Sequence, residues 1–245
     1  MTHPNIIKII CHDIGKHLGC YGVKSVSTKA IDALAKNGIL FENSYATSPG
    51  CSPSRAAIAT GLYPHNNGVL GLAHAHFGWS LDEKVDHIAK YFLKNAYNSI
   101  LFGLQHVTYN EKTLGFKKIF PERPADAVVK NIRENIDSNL FKKPFYAEIN
   151  FFEPHRPFDF GGVKPFKSKG ISVPKYIPNN HDIRKEFASM QGAIKKMDDS
   201  VGKIINILKR TNLYENTIIL FTTDHGIPFP RAKGTLYDAG IETSL

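Results

Sequence analysis

The sequence predicts an α/β fold in which a mostly parallel sheet is sandwiched between helices. Three observations carry that expectation. Short runs rich in Ile and Phe recur at residues 5–11, 99–102, 145–152 and 217–222 and read as buried strands. Helical stretches alternate with them, in the order a doubly wound sheet requires. The runs lead into polar residues, His12-Asp13, Gln105-His106, Glu153-Pro154-His155 and Asp224-His225, at the carboxyl edge where open α/β sheets bind ligands.

Composition bounds the class. At 245 residues the chain can form one sizeable core or two small ones, and 42% hydrophobic content with 11% aromatics reads as soluble and globular. No apolar run approaches the roughly 20 residues that span a bilayer, and the start, MTHPNIIKII, lacks a secretory pattern. The cysteines Cys11, Cys20 and Cys51 form neither a disulfide framework nor a zinc-type pair. A cytoplasmic, membrane-free protein is expected. The net charge of +9 suits anionic ligands, but the lysines are dispersed without an arginine-rich or aromatic-interleaved tract, which argues against nucleic acid.

In chain order, NIIKIIC (residues 5–11) is the first strand. A helix at about residues 28–36 follows, with Ile31, Leu34 and Ala35 on one face and Gly38 as its C-cap, and then a strand, ILFENSYA (residues 39–46). A helix is expected from Cys51, after which His65, His74 and His76 fall in a loop as substrate contacts at best. Further helices are expected at 81–95 and 124–139. Residues 161–180, rich in Gly, Pro and Lys, read as a long loop near the mouth of the site. Residues 182–211 place Phe187, Met190, Ile194, Met197, Val201, Ile204, Ile205 and Leu208 at spacings of three and four, a core-facing helix.

The most specific stretch is SPGCSPSRAAIATG, residues 48–61. Cys51 stands at a helix start, where free N–H groups and the helix dipole attract anions, and Arg55 follows one turn on. Cys-x-Pro-Ser-Arg followed by Thr60-Gly61 resembles the signature of the sulfatases. A buried structural cysteine would not require those companions.

That resemblance implies an alkaline-phosphatase-like fold. It also implies that Cys51 is oxidised by a formylglycine-generating enzyme to Cα-formylglycine, an exposed aldehyde whose hydrate is the nucleophile. Asp13 matches the second member of the family's Asp-Asp pair that ligates a divalent cation, generally calcium, while His12 replaces the first. Asp224 and His225 match its Asp-Asn or Asp-His, giving a metal set of His12, Asp13, Cys51, Asp224 and His225. His106 matches the histidine of Gly-Lys-x-His, with Leu104 where the family has lysine. His155 matches Pro-His-x-Pro, and Lys233 matches Lys-Gly-Thr-x-Tyr. Cys51, Arg55, His106, His155 and Lys233 are therefore the implied catalytic residues. The tract DHGIPFP and the segment NGVLGL are most similar to the sulfamidase branch.

The expected function is hydrolysis of a sulfate ester or sulfamate on a sugar. Two alternatives are a phosphohydrolase of the same superfamily and a non-catalytic fragment that needs a partner chain. By the resemblance, residues 1–245 are one N-terminal catalytic domain, lacking the usual C-terminal subdomain, with an exposed apolar sheet edge prone to self-association.

Overall fold

The computed structural model describes residues 3–74, 76, 78–142, 144–167 and 169–245. Strands β1 (Asn5–Cys11), β2 (Asn98–Gly103), β3 (Lys118–Phe120), β4 (Phe145–Asn150) and β5 (Thr217–Thr223) form one parallel sheet in the order β3-β2-β4-β1-β5. The helices are α1 (Lys29–Asn37), α2 (Cys51–Thr60), α3 (Pro64–Asn67), α4 (Ile88–Lys94), α5 (Ala125–Asn135), α6 (His181–Arg210) and α7 (Asp238–Ile241). The expected α/β architecture is what forms. Among the described residues, no helix is long and apolar enough to cross a membrane.

Strand alternation sends odd and even positions to opposite faces. Ile7 and Ile9 of β1 pair in register with Ala147 and Ile149 of β4, and with Ile100 and Phe102 of β2 they meet α1, α5 and α6 in one apolar core. Helix α6 drives that packing with Phe187, Met190, Ile194, Met197, Val201, Ile204 and Leu208 buried along one stripe. Asn180 Oδ1 caps it by accepting from Ile183 N (2.9 Å), and Lys209 and Arg210 in its last turn complement the dipole. Buried Asp198 of α6 accepts from the N–H groups of Ala30 (3.1 Å) and Ile31 (2.9 Å), so the start of α1 is capped by another helix.

Several expectations need correction. Residues 39–46 are not a strand of the sheet: they pair in fragments with residues 241–245, through the Tyr45–Glu242 bridge and the Phe41 N to Leu245 O bond (2.9 Å). Ile39 and Phe41 are exposed, so the apolar run has no core to face. The helix expected from residue 81 begins at Ile88. There Asp82 Oδ1 accepts from Lys84 N in a turn, and His87 Nδ1 caps α4 by accepting from Ala89 N (3.1 Å). Helix α5 ends at Asn135, and β4 ends at Asn150. Strand β3 is an element that the sequence pattern does not announce. Strand β5, expected to be buried, lies at the sheet edge with Ile218 48% and Leu220 43% exposed. The loop 161–180, Ser168 lying outside the described residues, packs beside α6 through Phe166 N to Ala188 O (2.9 Å) and on Ser25 through Ser172 N (3.1 Å).

Candidate active site

The sheet register assembles the first half of the site. Cys11 lies opposite Thr223 in the parallel β1–β5 ladder, so residues 12–13 and 224–225 leave adjacent strands at the same edge. Asp224 N donates to Cys11 O (3.1 Å), Asp13 N donates to Asp224 Oδ1 (3.0 Å), and so does His225 N (2.9 Å). Two backbone donors thus orient one carboxylate. Gly226 makes the turn possible, since a Cβ there would sit 1.8 Å from Ala239 O.

Helix α2 supplies the second half. Gly50 is extended (φ −131°, ψ 145°) and Cys51 is the first helical residue, as the sequence predicts. Cys51 Sγ lies 3.2 Å from His225 Nε2 and 3.9 Å from Asp13 Oδ1. The side chain is buried, at 2% exposure, which corrects the expectation of an exposed position. Burial, with Asp224 and Asp13 nearby, pushes its thiol pKa up to about 12, so an unmodified Cys51 stays protonated at neutral pH and is a poor nucleophile.

Arg55 projects from the next turn into the same volume. Its Nε donates to Asp224 Oδ2 (3.1 Å) and its Nη1 to Asn150 Oδ1 (3.2 Å), while buried Nη2 has no hydrogen-bond partner among the described residues. Burial opposes charge on Asp224, but His225 and the Arg55 guanidinium outweigh it and hold its carboxyl well below the usual carboxylate range. Lys233 Nζ bonds both oxygens of Asp13 (3.0 and 2.9 Å), and Gly234 N donates to Pro49 O (3.0 Å), tying the lysine's loop to the Cys51 loop. His12, Asp13, Cys51 and Asp224 each place a donor atom within 4.8 Å of the others.

The remaining histidines surround this centre. His155 Nε2 is 3.9 Å from Asp13 Oδ2, and His155 lines an open cleft with Asp13, Arg156 and Lys233. His106 is buried, edge-on to His12 with ring centroids 5.9 Å apart. Burial, then the Arg55 charge, pull its pKa down to about 2, so it is neutral. Gly103, at φ 92° with space for no Cβ against Asn150 O, turns the chain toward it.

Every residue the sequence marks as catalytic or metal-binding therefore comes to one place. Sequence reasoning missed three things. His74 stacks on His106 (centroids 4.4 Å) with its Nδ1 in hydrogen-bond contact with His106 Nε2. Asn150 clamps Arg55, and its Nδ2 donates to Glu148 Oε1 (3.0 Å). Glu148 in turn sits 2.8 Å from Lys8 Nζ and accepts from the Tyr146 hydroxyl (2.7 Å). A signal for the last group was present: Lys8 and Glu148 are charges at the centre of otherwise apolar strands.

Comparison with known proteins matches residues 4–125 and 121–245 to the Sulfatase family. The human N-sulphoglucosamine sulphohydrolase is 25% identical over 272 residues, covering 98% of this chain and 54% of that protein. An ulvan-active sulfatase of Formosa agariphila is 30% identical, covering 98% and 47%. A solved Bacteroides thetaiotaomicron structure from the metabolism of multiple glycosaminoglycans superposes with a TM-score of 0.83 at 19% identity, covering 99% of this chain and 66% of that one. The chain spans about half the length of the curated relatives it matches.

Proposed function

The chain belongs to the sulfatase family, and on that premise we propose that residues 1–245 form the catalytic α/β domain of a hydrolase of sulfate esters or sulfamates on a sugar. The observation that supports this most is the position of Cys51: it opens a helix inside a shell of two carboxylates, an arginine, a lysine and an imidazole. In this reading a formylglycine-generating enzyme converts Cys51 to the aldehyde. An oxygen of its hydrate attacks sulfur, and the bond from sulfur to the sugar oxygen or nitrogen breaks, the electron pair leaving with the sugar.

Arg55, through the idle Nη2, and Lys233 balance charge spread over the sulfuryl oxygens. His155, which lines the cleft, and buried His106 are the acid and base, one protonating the leaving group and the other accepting the proton as the sulfated hydrate collapses to aldehyde and sulfate. The donor set of two carboxylates, imidazole and position 51 fits one divalent cation, held by His12, Asp13, Asp224, His225 and the Cys51-derived group. Such a cation polarises the sulfate and lowers the pKa of the hydrate. The resemblance implies calcium. Leu104 in place of the family's lysine removes one charge-assisted donor, worth about 1.5–3 kcal/mol when buried, and shifts binding onto the sugar. An N-sulfated glucosamine unit is the substrate this favours over a small aryl sulfate. The exposed β5 edge supports self-association.

Mass spectrometry of the peptide containing Cys51 is the direct test, since conversion to formylglycine lowers its mass by about 18 Da through exchange of sulfur for oxygen and loss of two hydrogens. Cys51→Ala should abolish turnover of N-sulfated glucosamine while the far-ultraviolet spectrum stays that of the parent. More than trace turnover by the pure variant defeats the reading.

A further inference from the structure

The donors around Cys51 differ in kind from an all-oxygen cage. His12 is 1% exposed, and neither of its ring nitrogens has a hydrogen-bond partner among the described residues. Its Nδ1 lies 3.0 Å from Asp224 Oδ2 but out of line for a hydrogen bond. Buried polar atoms are nearly always satisfied, so an imidazole with two idle nitrogens, set against a carboxylate and next to Asp13, points to a ligand. His225 Nε2 faces the same volume, 3.1 Å from Asp13 Oδ1 and 3.2 Å from Cys51 Sγ.

The carboxylates are also shared. Asp13 is bonded through both oxygens to Lys233, and Asp224 Oδ2 takes the Arg55 Nε–H. Two negative charges are thus matched by two positive ones before any cation arrives. Ca²⁺ is held by charge and by six to eight oxygens, and this shell is short of both. A first-row transition cation gains from imidazole nitrogen in a way that Ca²⁺ does not, because its bonds to nitrogen are partly covalent.

We propose that this site selects a borderline divalent transition cation, with Zn²⁺ preferred over Mn²⁺, instead of Ca²⁺, and that His12 is the residue that sets the preference as a nitrogen ligand. The proposal rests on the reading of this cluster as the sulfatase cation site, and it concerns binding alone, so its test does not depend on turnover.

The experiment uses the full chain stripped of metal, with the state of position 51 fixed by mass and kept the same in every variant. Binding of Zn²⁺, Mn²⁺ and Ca²⁺ is measured by calorimetry, and Co²⁺ reports nitrogen ligation through its visible ligand-field bands. The expected result is Zn²⁺ binding at least about 100-fold tighter than Ca²⁺, with His12→Asp lowering that ratio at least about tenfold and weakening the cobalt bands. His12→Asn, which keeps size without imidazole, should also weaken them. Asp224→Asn should remove the tight Zn²⁺ event, which separates it from binding at surface histidines.

A parent that binds Ca²⁺ as tightly as Zn²⁺, a ratio unchanged in both folded His12 variants, or no cation bound at this site overturns the proposal. A formylglycine mass at position 51 together with calcium preference would sink the selectivity and leave the sulfatase reading standing. Zinc preference with unmodified, inactive protein would do the reverse.

Discussion

The two faces of the sheet are built on opposite principles. On one, Ile7, Ile9, Ala147, Ile149, Ile100 and Phe102 pack against α1, α5 and α6, and stability comes from apolar area removed from water. On the other, the in-register partners of β1 and β4 include Lys8 opposite Glu148 and Ile10 opposite Asn150, and the column Lys8, Glu148, Asn150 ends on Arg55. Burial by itself would raise the Glu148 carboxyl, yet the Lys8 and His87 charges and the bonds from Lys8 and Asn150 outweigh it and hold its pKa at about 2. One face holds the fold together and the other aims the guanidinium. A buried ion pair is a weak device for stability alone, so its presence under the site fits a role in orientation.

The comparison can be broken most severely at Glu148. Glu148→Ala leaves the Lys8 ammonium buried and unpaired, and should cost about 3–5 kcal/mol in urea unfolding. The double variant Lys8→Met with Glu148→Leu should recover most of that stability while turnover stays depressed, because Asn150 loses its anchor. Recovery of both would show that the column has no part in placing Arg55. On the apolar face, Ile9→Ala should cost about 2–5 kcal/mol and leave the kcat of the folded fraction unchanged. A selective fall in kcat there would erase the division between faces.

Acid sharpens the same contrast. The folded pKa of Glu148 lies below its value in the unfolded chain, so unfolding takes up protons. The stabilisation is full above about pH 4.5 and is lost as pH falls toward about 2, a change on the order of 3 kcal/mol. Glu148→Gln should flatten the stability curve in that window, and an unaltered curve would assign the acid sensitivity elsewhere. The smallest effect belongs to the surface: Lys195→Ala, which removes an exposed pair with Asp199 one turn along α6, should shift stability by about 0.5 kcal/mol or less.

The sequence by itself determined those parts that local chemistry encodes. The apolar runs of β1, β2, β4 and β5, the spacing of α6 and the helix start at Cys51 are periodicity and capping, which act over a few residues. Most site residues were legible because they follow a strand end or stand in the first turns of a helix, and strand ends in a parallel sheet converge whatever lies between them. Only the tertiary structure decided the rest. Residues 39–46 have the composition of a strand, but the neighbour they meet is the 241–245 segment and not the sheet. Leu220 reads as core, yet it sits on an edge strand. His74 on His106, Asn150 on Arg55 and Lys8 against Glu148 join residues 32 to 140 positions apart. A pairing between two side chains is fixed by sheet register and by how closely helices approach, and both are properties of the packed whole that no local window of the chain contains.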